Sequence, residues 1–276
     1  MIPKDFSVTF LGTSAASVSP HVSTSACLVR AGDTVLMVDA GIGALRQLHR
    51  AAVDPGEIDA VLVSHWHWDH TGGLPALVKA RKRAKPLIIY GPHPHLLSRI
   101  YLSVLCPSIF ADFVTVKAGS SIDFKDIRAE TIATVHEVAS VGWILAEQPG
   151  GRRKIVISGD TRPVESIVAA ARGADLLIHE ATFLDRHAEW AVLSGHSRAS
   201  DAARLALKAG AGALALTHLP ARYTAEEIRA EAGAIFPGVL LASPLETMAI
   251  DTAAAEDHKQ GSGWAKIRLI VPPSQP

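Results

Sequence analysis

The chain has 276 residues, 48% of them hydrophobic and 20% charged, and its 27 Lys and Arg balance 27 Asp and Glu to a formal net charge of zero. That length sustains a large core and is read as one domain over residues 1–276. The absence of a basic surplus argues against a general nucleic-acid binder, which gains affinity when many Lys and Arg release counterions, and no stretch approaches the roughly 18 apolar residues of a membrane span.

Three strands open the chain, "FSVTFLG", "SACLVRA" and "TVLMVDAG", each bounded by glycine or polar turns. The opening "MIPKDFSVTFLGTS" has a charge and a turn where a secretory signal needs an apolar run. A helix over residues 44–52 follows, ended by "DPGE". "DAVLVS" is a short continuous apolar run, the pattern of a strand buried on both faces. "SHWHWDHTGG" comes directly after it, and "GGLPALVKARKRA" opens a helix whose basic end, Lys79 to Lys85, reads as a solvated face. Residues 113–147 read as antiparallel strands joined by tight turns, with His136 closing "IRAETIATVH". The second half alternates. "KIVISGD" is a strand ending at Asp160, "PVESIVAAARG" a helix, and "ADLLIHEATF" a strand ending near Glu180. "SRASDAARLALKAGAG" is a helix, "ALALTHL" a strand ending at His218, and "TAEEIRAEAGAIF" another helix. This grammar predicts a layered α/β protein with sheets inside and helices outside. Cys27 and Cys106 are isolated in apolar surroundings, with no disulfide framework or CxxC knuckle, so a cytoplasmic enzyme is expected.

His65, His67, Asp69, His70, His136, Asp160, Glu180 and His218 each fall at or just beyond a predicted strand end. Open α/β sheets gather ligands in the loops at the carboxyl ends of their strands. Imidazole and carboxylate suit divalent metals, and catalytic zinc keeps a coordination position for water. His65 and His67, two apart in an extended segment, share a face. Asp69 and His70 lie past the turn and can address a second ion. A lone histidine is ordinarily a surface group. His-x-His-x-Asp-His after a buried strand is a metal-site pattern. His21, His49, His93, His95, His179, His187 and His258 are read as ordinary histidines, and Trp66 and Trp68 as packing around the loop. His179 cannot enter a site together with Glu180, because neighbours on a strand face opposite ways.

These segments resemble a known family. "SHWHWDHTGG" is similar to the HxHxDH signature of the metallo-β-lactamase superfamily, and "VTFLGTSAASVSP" resembles the opening strand and loop of its ribonuclease Z (tRNase Z) branch. "VLMVDAGIGALRQLHRA", "LLIHEATF", "GHSRASDAARLALKAGA" and "LTHLPARY" are similar to further motifs of that branch. The resemblance implies a four-layer αββα sandwich of two mixed sheets. It assigns His65, His67 and His136 to one metal and Asp69, His70 and His218 to the other, with Asp160 bridging. The implied cofactor is a pair of divalent ions, zinc first, with manganese or iron as alternatives. Two such ions outweigh Asp69, Asp160 and a bridging hydroxide, so the pocket is expected to be cationic and to favour an anionic substrate. Paired metals bring a shared water's pKa from about 15.7 to near 7, and Asp69 stands to orient that nucleophile or take its proton. The leaving alkoxide needs a proton too. His196 precedes a helix expected to be capped by Ser197, and a helix N-terminus disfavours imidazolium. Glu180, the family's partner at this position, would hold the charge and tautomer of His196 as general acid.

The resemblance also implies a protruding tRNA-binding arm between the positions of His136 and Asp160. Here those are only 24 residues apart, filled by a strand, the turn "EQPGGRRK" and another strand. Arg198 stands where the branch has Thr, and "HKQGSGWAKIRLIVPPSQP" has no counterpart in it. The expected function is therefore a dinuclear phosphodiesterase for small or short nucleic-acid diesters rather than whole tRNA, soluble and homodimeric like related enzymes. Other chemistries open to such a site are an arylsulfatase, a lactonase, a thioester hydrolase or a one-metal enzyme. A non-catalytic RNA- or partner-binding protein with a structural metal is the alternative of another class.

Overall fold

The computed structural model describes residues 6–16, 23–81, 85–107, 110–150, 153–251 and 267–270. Two mixed sheets face each other. The first runs, in spatial order, Ile267–Ile270, Thr247–Ile250, Ser7–Gly12, Ala26–Ala31, Thr34–Val38, Ala60–Leu62, Leu87–Gly91 and Ala111–Thr115. The second runs Leu240–Leu241, Leu214–Thr217, Leu176–Glu180, Lys154–Ile157, Val141–Glu147, Ile127–Ala133 and Ser121–Asp123. Strand alternation sends one set of side chains between the sheets and the other to the helices. Val8, Phe10, Val29, Leu36 and Leu62 meet Ala129, Trp143, Ile155, Leu176 and Ile178 in the central layer. Leu28, Met37, Val61 and Ile89 pack outward on the helices Ala44–Arg50 and Leu74–Ala80. Val156, Leu177, Leu214 and Leu216 pack outward on Glu165–Ala171, Ala199–Ala209 and Ala225–Gly233. This is the expected αββα sandwich.

Several expectations are corrected. Ala111–Thr115 is not part of the meander: it pairs parallel with Leu87–Gly91 at the edge of the first sheet. The residues that would show this lie outside the segment, in its partner. The helix expected to begin at residue 72 starts at Leu74, preceded by a one-turn helix, Trp68–Thr71, that carries Asp69 and His70. Ser197 does not cap the helix Ala199–Ala209; its hydroxyl donates to the Thr161 carbonyl at 2.7 Å, and Arg198 occupies the cap position. Trp66 is packed as expected, with Nε1 donating to the Pro92 carbonyl at 2.6 Å, whereas Trp68 is exposed and lies against Tyr101. The strands Leu87–Gly91, Leu240–Leu241 and Thr247–Ile250 and the helices Leu96–Leu105 and Ala188–Leu193 add to the sequence reading. Within the stretch beginning at His258, Ile267–Ile270 forms a strand antiparallel to Thr247–Ile250. The rest of that stretch, His21, the tip of "EQPGGRRK" and the middle of the basic run lie outside the described residues. Among the described residues, no helix is long and apolar enough to cross a membrane.

Candidate metal centre

The facing sheets bring the carboxyl ends of five strands to one edge. His65, His67, Asp69 and His70 follow Ala60–Leu62, and His136 follows Ile127–Ala133. Asp160 follows Lys154–Ile157, Glu180 ends Leu176–Glu180, and His218 follows Leu214–Thr217. The His218 backbone is left-handed at φ 57°, a conformation costly for a non-glycine residue and concentrated at functional sites.

Two donor sets form. His65 Nε2 lies 3.0 Å from His67 Nδ1, which lies 3.3 Å from His136 Nε2. Nitrogens about 2.0–2.1 Å from one tetrahedral zinc stand about 3.3 Å apart, so this trio has the spacing of shared ligands. In the second set, His218 Nε2 lies 3.1 Å from Asp69 Oδ2 and 3.4 Å from Asp160 Oδ2. His70 Nε2 lies 3.3 Å from Asp160 Oδ2 and 3.7 Å from Asp69 Oδ2. Asp160 Oδ2 is also 3.7 Å from His65 Nε2, so one carboxylate touches both sets. His70 Nε2 is buried without a hydrogen-bond partner, an orphaned atom aimed among carboxylates. The donors fit divalent cations.

Each imidazole is steered by its far nitrogen. Asp39 Oδ2 accepts from His70 Nδ1 at 2.7 Å and from Ser64 Oγ at 2.8 Å, while Asp39 Oδ1 accepts from the Ser64 N–H at 2.7 Å. The Gly195 carbonyl accepts from His136 Nδ1 at 2.9 Å. Gly195 has φ 73°, and an added Cβ would meet His136 Nδ1 at 3.1 Å, so glycine is what permits the approach. His67 Nε2 faces Glu137 Oε1 at 3.4 Å. His218 Nδ1 is 2.7 Å from Thr182 Oγ1. Sequence reading overlooked Asp39, Thr182, Gly195 and Glu137. Asp39, in "VDAG" at a strand end, shared the positional signal of the others.

His196 lies with its ring 5.0 Å from that of His136 and stacked at 5.4 Å on His218. Its Nδ1 donates to Glu180 Oε1 at 2.9 Å. Glu180 is fully enclosed, accepting also from Thr161 N at 3.0 Å and Thr182 Oγ1 at 2.7 Å. Burial opposes ionisation of both partners, but the Glu180 charge outweighs it and pushes His196 up to about 9. Burial likewise opposes the Glu180 carboxylate, yet His196 holds it below the usual range. Asp69 is brought down to about 2 against the effect of burial, by the hydrogen bond from His218 and the charges of His70 and His218. Burial, with His70 nearby, lowers His65 well below the usual imidazole range and so favours the neutral form that metal binding requires. His179 is fully buried on the helix side of its strand, its Nδ1 donating to the Glu180 carbonyl at 2.8 Å.

The sequence pattern of the β-lactamase superfamily domain matches residues 34–219. Ribonuclease Z of Methanosarcina acetivorans is 30% identical over 88% of this chain and 97% of its own length. That of Gemmatimonas aurantiaca is 33% identical over 85% and 93%. Among solved structures, the metallo-β-lactamase fold protein YhfI from Bacillus subtilis superposes with a TM-score of 0.80 at 27% identity, covering 89% of this chain and 99% of that one. The short form of human tRNase Z superposes with a TM-score of 0.73 at 30% identity, with the same coverages. Fold, edge-sited donor clusters and full-length likeness agree, and the chain belongs to the ribonuclease Z branch of the β-lactamase superfamily.

Proposed function

We propose that this chain is a metal-dependent phosphodiesterase of the ribonuclease Z type, acting through two divalent cations, zinc first. His65, His67 and His136 would hold one cation and Asp69, His70 and His218 the other, with Asp160 shared. The observation that carries this is Asp160 Oδ2, within 3.7 Å of His65 Nε2, 3.3 Å of His70 Nε2 and 3.4 Å of His218 Nε2. When bound, the cations supply positive charge and a water acidic enough to be a nucleophile near neutral pH. Asp69, ionised throughout the neutral range, orients that nucleophile or accepts its proton. His196, protonated and braced by Glu180, donates a proton to the leaving oxygen. By holding Nδ1–H, Glu180 leaves Nε2 as the position that gives up the proton and takes one back from solvent, so the acid keeps one tautomer.

Small or short single-stranded diesters fit this chain better than whole tRNA. Between His136 and Asp160 the chain is occupied by the strand pair Val141–Glu147 and Lys154–Ile157, with Val156 opposite Ile144, and the sequence has no basic surplus. We also infer one domain, a cytoplasmic location and a homodimer. The helix Leu96–Leu105 supports the last, since Leu96, Ile100 and Val104, one turn apart, are all exposed.

Initial rates with bis(p-nitrophenyl) phosphate, an aryl sulfate, a lactone and a tRNA precursor, with and without prior chelation, test the reading. The diester is expected to turn over fastest and only with metal. A sulfate or lactone preferred over the diester would move the enzyme to another class.

A further inference from the structure

Thr182 links three residues of the centre though the reaction itself assigns it no role. Its Oγ1 lies 2.7 Å from Glu180 Oε2, 2.7 Å from His218 Nδ1 and 3.4 Å from His196 Nδ1. Its position is fixed from both sides of its peptide. The Thr182 N–H donates to Glu180 Oε2 at 3.2 Å, and Arg222 Nη2 donates to the Thr182 carbonyl at 2.8 Å while its guanidinium lies over Phe183 at 4.5 Å. The side chain is buried.

A hydroxyl has one proton to give. Glu180 is a carboxylate and can only accept, so the Thr182 proton goes to Glu180 Oε2. Its oxygen then has only lone pairs for His218, and a 2.7 Å contact demands that His218 Nδ1 carry the hydrogen. With Nδ1–H fixed, Nε2 is the nitrogen that can exchange its proton for a cation, and it faces Asp69 Oδ2 at 3.1 Å and Asp160 Oδ2 at 3.4 Å. Three lone-pair groups converging on one point need a proton or a metal cation between them. Asp39 does the same for His70 by direct contact, while also accepting from Ser64. For His218 the carboxylate is one hydroxyl away and is shared with His196.

We propose that Thr182 is a positioning residue that sets the His218 tautomer for the second cation and joins that ligand to the leaving-group acid through Glu180. The chain runs from His218 Nδ1–H to Thr182 Oγ1, from Thr182 O–H to Glu180 Oε2, and from His196 Nδ1–H to Glu180 Oε1. It rests on the two-cation reading above, and its test has a part independent of that reading. Outer-shell partners of ligating histidines alter metal affinity by about 10–100-fold.

Nitrogen-15 shifts of His218 in metal-free protein report its protonation without any turnover, and Nδ1 is expected to carry hydrogen in the wild type whether or not Nε2 also binds a proton. A bare Nδ1 there would overturn the proposal even if the enzyme proved to be a phosphodiesterase. In Thr182→Val, which keeps the shape and loses the hydroxyl, competition with a zinc chelator should strip the second equivalent at about 10–100-fold lower chelator while the first stays as in the wild type. Thr182→Ser should restore both the tautomer and the second equivalent. Equal retention of both equivalents by Thr182→Val, or a folded Thr182→Ser that fails to restore them, would overturn it. Should Thr182→Val not fold, as judged by circular dichroism, Thr182→Ala read by the same competition serves in its place.

Discussion

His196 and Glu180 show how burial and charge are played against each other at one residue. Taken alone, enclosure would strip the imidazole of its proton. Glu180, itself saturated by Thr161 N–H, Thr182 O–H and His196 Nδ1–H, makes retention of that proton favourable instead. An acid of this kind matters only when the leaving oxygen is a poor leaving group. His196→Ala is therefore expected to keep its metal content, to lose about 10²–10⁴-fold in rate on a diester with an alkyl leaving group, and to lose far less with p-nitrophenoxide, which departs without a proton. Parallel kinetics on the two substrates with metal analysis of the variant check this. An equal loss on both would assign His196 to holding the site together.

At the scale of elements, the strand Leu176–Glu180 serves two layers at once. Leu176, Ile178 and Glu180 face the central layer and the metal edge, while Leu177 and His179 face the helices. His179 Nε2 is buried without a hydrogen-bond partner there. Burial lowers its pKa, against the weaker pull of the Glu180 backbone and of the Glu180, Asp201 and Asp160 charges. The unfolded chain takes up this proton below about pH 6.5 and the folded protein does not. The stability at stake is thus present above that pH and lost as pH falls, by up to about 1.4 kcal/mol per pH unit. Denaturant unfolding of the wild type and His179→Gln across pH 5–8 should give curves that converge toward acid. Parallel curves would show that His179 protonates freely in the fold.

At the scale of the whole molecule, one exposed apolar surface among the described residues is the helix Leu96–Leu105 with the neighbouring edge strand Ala111–Thr115, where Phe113 and Val114 are also exposed. An edge strand and an apolar helix face together invite pairing with another chain. If the proposed homodimer uses this surface, Ile100→Glu should sediment as a monomer where the wild type sediments as a dimer, while the thermal transition of the fold stays in place. A wild type that sediments as a monomer would remove the homodimer.

What the sequence by itself determined was local. Apolar runs and turn residues marked most strands, and His65, His67, Asp69, His70, His136, Asp160 and His218 stood out because metal-seeking residue types recurred just past strand ends. Short strands such as Thr247–Ile250 escaped, because their identity lies in a partner: Met248 sits opposite Val8, 240 positions earlier. Only the tertiary structure decided which hydrogen bonds aim the candidate ligands. Asp39 and His70 are 31 residues apart, Thr182 and His218 36, and His136 and the Gly195 carbonyl 59. A carboxylate, a hydroxyl and a backbone carbonyl share no residue pattern, and they become equivalent only when folding sets each beside the nitrogen it must hold.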